Sequence, residues 1–109
     1  LNVEVEAADP EALIVAKYMR NSFLATKVAF FNQVYDFCEK SNVDYAEVAR
    51  FITKDRRIGD SHSKVTDERG FGGHCFPKDT AAIVESANRV GCDLSIIGEA
   101  IEYNKRIKS

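Results

Sequence analysis

Apolar residues recur at helical spacing through the first third of the chain. Leu13, Ala16, Met19, Phe23, Ala25, Val28, Phe30, Phe31, Val34, Phe37 and Cys38 follow one another with no Gly or Pro between them. This pattern predicts an α-helix. Asp9-Pro10-Glu11 supplies a start signal: a capping Asp, a Pro at the first helical position and an acid in the first turn. The helix is expected to end near Lys40, before Ser41-Asn42. A helix of about 30 residues is long beside the usual ~11–12. Its apolar positions wrap around much of its surface, which predicts burial on more than one side. A second copy of the chain, paired about a two-fold axis, is the expected cover, so a homodimer through this helix is predicted.

Three shorter helices follow in the same reading. Asp44 and Glu47 have capping-box spacing and open a helix to about Lys54. Asp55 to His74 is loop-like, with Gly59, Gly70, Gly72 and Gly73. Pro77-Lys78-Asp79 opens a third helix, which Gly91 terminates. Asp93 is expected to cap a fourth helix ending near Ile107. Leu1 to Glu6 alternates apolar and polar, a short strand signal. The expected fold is therefore all-α, with a short extended segment over residues 1–8 and one helical domain over residues 9–109.

Composition narrows the function classes. A net charge of -2 over 109 residues leaves no basic excess for nucleic acid. No apolar run approaches the ~20 residues that span a bilayer. No signal peptide is visible, and a cytoplasmic setting is expected. The chain begins without Met, as a piece of a longer polypeptide would. Three cysteines, Cys38, Cys75 and Cys92, have no regular spacing and argue against a disulfide framework. Cys38 and Cys92 lie in stretches that read as helix or helix edge, where packing is the expected role. His62, His74, Cys75 and Cys92 match no common zinc spacing, so no metal site is expected.

Candidate chemistry concentrates in Gly70-Phe71-Gly72-Gly73-His74-Cys75-Phe76-Pro77-Lys78-Asp79. Glycines let a backbone take positive φ and approach a ligand closely. A helix opening at Pro77 puts Cys75 just before a helix N-terminus, where partial positive charge favours a thiolate. Lys78 and His74 would add to that effect. A thiolate attacks carbonyl carbon readily. Asp79, four residues on, is placed to handle a proton or orient a water. The plain alternative is a glycine-rich turn around a buried thiol.

This string resembles the signature of the UDP-glucose/GDP-mannose dehydrogenase family, a glycine-rich stretch running into Cys-x-Pro-Lys-Asp. The resemblance extends to Lys17 and Asn21, whose Lys-x-x-x-Asn spacing sets both on one helical face. It includes the following Asn21-Ser22-Phe23-Leu24-Ala25-Thr26-Lys27 and Asp55-Arg56-Arg57-Ile58-Gly59. Together these cover Ala12 to about Ile83, with weaker similarity to Asn104. Three features depart from the family pattern. Gln33 stands where Glu is usual, His74 replaces a small residue, and the loop from Asp60 to Arg69 is longer than in familiar members. The Lys78-Asp79 pair favours the UDP-glucose type.

The resemblance implies the family's central, dimerisation domain, with a fold like the C-terminal domain of 6-phosphogluconate dehydrogenase. It implies NAD-dependent oxidation of a UDP-sugar C6 alcohol to a carboxylate through a thioester on Cys75. Lys17 would stabilise an oxyanion, Asn21 would donate a hydrogen bond to it or position a water, and Asp79 would move a proton. Gly70, Phe71, Gly72 and Gly73 would border the substrate. Arg57 would reach the substrate of the neighbouring subunit. No G-x-G-x-x-G occurs, so NAD is expected to bind a domain outside this chain, with Lys78 the one candidate here for a cofactor contact. A structural dimerisation module without retained catalysis is the alternative.

Overall fold

The computed structural model describes residues 9–73 and 75–109. The extended segment expected at residues 1–8 lies outside the described residues, as does His74. Four helices make up the regular structure: α1 Pro10–Ser41, α2 Tyr45–Thr53, α3 Cys75–Arg89 and α4 Ser95–Lys108. The described residues contain no strand. The all-α expectation is met.

The start and stop of α1 follow its local chemistry. Asp9 is the N-cap, and its carboxylate accepts from the Glu11 N–H at 3.2 Å. Pro10 opens the helix, where a missing N–H costs nothing. At the far end Asn42 takes a left-handed φ of 60°, and its N–H closes back onto the Cys38 carbonyl. Asp44 caps α2 by accepting from the Ala46 N–H at 3.4 Å. Gly91, at φ 78°, ends α3, and the Cys92 N–H reaches the Ala87 carbonyl at 2.8 Å. That pairing is the backbone-satisfying closure a left-handed glycine permits.

Two boundaries differ from the expected ones. α3 opens at Cys75 rather than Pro77. Proline is tolerated throughout a first helical turn, because those N–H groups have no intrahelical acceptor. Cys75 is thus the first residue of the helix instead of its forerunner. α4 begins at Ser95 after Leu94, which makes no side-chain cap bond, so Asp93 stands one residue too early to cap it.

α1 is the spine against which α2, α3 and α4 all pack, and α3 also touches α4. Ala25 and Ala29 of α1 meet Phe71, Ala100 and Tyr103 in one core cluster, flanked by Val28, Phe76, Ile101 and Ile107. The small side chains on α1 leave room for Phe71 from the loop before α3. Burying a side chain of that size stabilises by roughly 1.5–3 kcal/mol. Cys38 is buried as expected, but Cys92 is exposed at the turn after α3, which corrects its assignment to packing.

The linker between α2 and α3 is held at several points. Lys27 donates to the Ile58 carbonyl at 2.7 Å, and Asp55 accepts from the backbone and side chain of Arg57. The Tyr45 hydroxyl donates to the Ser63 carbonyl at 2.6 Å, and burial is the main reason its pKa is pushed up to about 12.

The other side of α1 remains open. Phe23, Phe30 and Phe37 are 67%, 57% and 71% exposed. Apolar grooves run beside this row, one lined by Met19, Phe23, Leu94 and Ile97, the other by Phe30, Phe31, Ile52 and Ile58.

Candidate active site

Asn21 lies three turns into α1, partly buried where that helix meets α3. Its Nδ2 donates to Asp79 Oδ2 at 2.6 Å. Asp79 is only 1% exposed although it sits in the second turn of α3. Its other oxygen, Oδ1, is 3.3 Å from the half-exposed Lys78 ammonium. The Asn21 hydrogen bond is the chief influence holding the Asp79 carboxyl below the ordinary carboxylate range. Burial opposes it, while Lys78 and the Lys17 charge assist. Lys78 is raised in turn, first by its bond to Asp79 and least by Cys75.

Lys17 is exposed one turn before Asn21 on α1, with Nζ 5.9 Å from the Tyr18 ring. Cys75 is an exposed free thiol at the start of α3. First-turn N–H groups in a helix face no internal acceptor and carry partial positive charge. Lys17, Asn21, Cys75, Lys78 and Asp79 therefore share the junction between the early turns of α1 and the start of α3.

The glycine loop precedes α3 in the chain. Gly70 and Gly73 have φ of 66° and 80°, which side-chain-bearing residues rarely adopt. Phe71 is buried in the core, whereas Gly72 and Gly73 are exposed. Arg57 is not drawn into this group. It sits in the Asp55–Gly59 turn with its side chain 88% exposed and paired to Asp55 at 2.6 Å. Among the described residues no three His, Cys, Asp or Glu side chains cluster as a metal site would require.

Several residues that anchor the loop escaped sequence reasoning. Arg69, itself at φ 61°, donates to Asn32 Oδ1 and Asp36 Oδ1, each at 2.7 Å, and stacks on Tyr35 at 4.7 Å. The Tyr103 hydroxyl donates to Asp36 Oδ2, and burial followed by that bond raises its pKa strongly. Asn32 and Asn104 hold the Gly70 and Phe71 backbone. One signal was available. Asn104 shares the helical face of Ala100, Tyr103 and Ile107, so a polar side chain falls at a core position.

Residues 12–106 match the central domain of the UDP-glucose/GDP-mannose dehydrogenase family. The UDP-glucose 6-dehydrogenase YwqF of Bacillus subtilis is 37% identical over 102 residues, which are 94% of this chain and 23% of that protein. TuaD, a UDP-glucose 6-dehydrogenase of the same organism, is 40% identical over 96 residues, covering 88% of this chain and 20% of its own. A solved UDP-glucose dehydrogenase from the archaeon Pyrobaculum islandicum superposes with a TM-score of 0.79 at 33% identity. That match covers 85% of this chain and 21% of the archaeal one. The chain spans about a fifth of the length of these relatives. Its match over nearly all described residues, in sequence and in fold, places the chain in the UDP-glucose/GDP-mannose dehydrogenase family, as a central domain.

Proposed function

We propose that the junction of α1 and α3 is the oxidation site of a UDP-glucose 6-dehydrogenase, with Cys75 as its nucleophile. The observation that carries this reading is the Asn21–Asp79 hydrogen bond. It draws the Lys17/Asn21 pair against the turn that presents Cys75. Two molecules of NAD, used in succession and held outside these residues, would supply the hydride acceptors for the two oxidations, one for each. No described residues form the strand and glycine turn that cradle a dinucleotide, so the roles here are those of the protein side chains alone.

Cys75 sulfur adds to the aldehyde carbon, and the resulting thiohemiacetal keeps the aldehyde from escaping. Lys17 and the Asn21 carboxamide stabilise negative charge on the substrate oxygen. Asp79, kept ionised by its partners, accepts a proton as water cleaves the thioester and restores the thiol. Gly72 and Gly73 border the sugar.

The same reading includes a two-fold dimer. The exposed row Phe23, Phe30 and Phe37, with its flanking grooves, supports it. Large exposed apolar patches mark interaction surfaces. An obligate interface here would bury roughly 2,000 Å² or more. The dimer would bring the exposed Arg57 of one subunit towards the substrate of the other.

The test is Cys75→Ser in the full-length polypeptide, supplied with UDP-glucose and NAD. Carboxylate formation should collapse while the first oxidation persists. Unchanged UDP-glucuronate production would rule out the covalent role.

A further inference from the structure

Two carboxamides from different helices grip consecutive residues at the base of the glycine loop. On α1, Asn32 Oδ1 accepts from the Gly70 N–H at 3.0 Å, while Asn32 Nδ2 donates to the Val28 carbonyl at 2.9 Å. The second bond fixes which way that amide faces. On α4, Asn104 Oδ1 accepts from the Phe71 N–H at 2.7 Å, and its Nδ2 donates to the Phe71 carbonyl at 2.9 Å. Both asparagines are buried. Asn104 thereby satisfies the donor and the acceptor of one residue together. A carboxylate lacks the donor and a hydroxyl lacks the two-armed reach, so the task suits a carboxamide. The fit is close: a Cβ on Gly70 would lie 2.1 Å from Asn104 Oδ1.

The grip divides the loop in two. The N–H groups of Gly70 and Phe71 are committed to the protein. Those of Gly72 and Gly73 donate to no described residue, and both glycines are exposed beside Cys75. Asn104 is thus the last fixed point before two residues with the greatest backbone freedom.

We propose that Asn104 is a positioning residue for the sugar nucleotide. It does not touch the ligand. It holds the Phe71 peptide so that the Gly72 and Gly73 amides are already placed when the ligand arrives. Without it, binding must order the loop, and that entropic cost weakens affinity. The loss then falls on KM more than on kcat. This inference rests on the UDP-sugar reading of the Cys75 site.

The experiment follows alkylation of Cys75 by iodoacetamide in the full-length polypeptide, read peptide by peptide because Cys92 is also exposed. UDP-glucose is titrated against that reaction in wild type and Asn104→Ala, and KM and kcat are measured alongside. In wild type UDP-glucose should protect Cys75. In Asn104→Ala the concentration giving half-protection should rise about ten-fold, KM should rise with it, and kcat should change far less. Wild-type-like protection in a folded Asn104→Ala overturns the positioning role while leaving the sugar site intact. Failure of UDP-glucose to protect wild-type Cys75 overturns the UDP-sugar reading and this inference together. If Asn104→Ala does not fold, Asn104→Asp, which keeps the acceptor for the Phe71 N–H, is read by the same criteria. Loss of fold in both assigns Asn104 to folding alone and overturns the proposal.

Discussion

Asn21 on α1 and Asp79 on α3 are joined by a 2.6 Å hydrogen bond across 58 residues of sequence. The bond does two things at once. It ties the early part of the long helix to the start of α3, and it gives a buried carboxylate a short donor on the oxygen that Lys78 does not approach. A buried charge without such partners is costly.

The first prediction follows from the sign of the Asp79 shift. Its carboxyl is held below the ordinary carboxylate range, chiefly by Asn21. A lowered folded-state value contributes stability above the unfolded value, which is lost as pH falls through the folded one. Asp79→Asn should therefore be less stable than wild type near neutral pH, and the difference should shrink in acid below that range. Urea midpoints of the two proteins across that range measure it. A gap that stays constant with pH would mean ionisation of Asp79 contributes nothing to folding.

The second prediction concerns Gly70. Its φ of 66° disfavours any side chain, and its Cβ position is occupied by Asn104. Gly70→Ala should destabilise by at least about 1–3 kcal/mol from backbone strain alone. Chemical denaturation gives the number, and a change well under 1 kcal/mol would show that the loop shifts freely.

The third prediction concerns Lys17. In the full-length polypeptide, Lys17→Ala should keep the fold and lower turnover by about 10²–10³, the usual cost of removing an oxyanion donor. Its exposed position on α1 makes a folding defect an unsuitable explanation for such a loss. Steady-state kinetics decide it, and activity within a few-fold of wild type would reduce Lys17 to a solvated helix residue.

The fourth prediction concerns assembly. Phe30→Glu puts a charge in the middle of the exposed phenylalanine row and should dissociate the proposed dimer or unfold the protein. Light scattering at micromolar concentration is the measurement. A wild-type chain that stays monomeric there would mean another part of the polypeptide covers α1.

Local chemistry made the helices legible. Asp9-Pro10, Asp44 and Gly91 each signal a boundary through a backbone group they satisfy or a conformation they permit, and each stands where expected. Pro77 misled because proline marks a first turn without saying which position in it. Cys92 misled because a thiol just past Gly91 can face either the core or solvent, and its apolar character does not say which. The loop anchors were least legible. Arg69 reaches Asn32 and Asp36 across 37 and 33 residues, a pairing set by how α1 and the loop pack rather than by any local pattern. The family motifs pointed to Lys17, Asn21 and Asp79. The geometry then supplied the contact between the last two.

The exposed phenylalanines have a consequence for the shape of any pairing. Phe23, Phe30 and Phe37 recur every seven residues, while a straight α-helix drifts by ~20° over each such interval. From Phe23 to Phe37 the row therefore slants around the cylinder by about 40°. Two straight rods laid side by side could keep only part of it in touch. Full contact requires the helices to wind about each other in a left-handed sense, or to cross and meet mainly near Phe30.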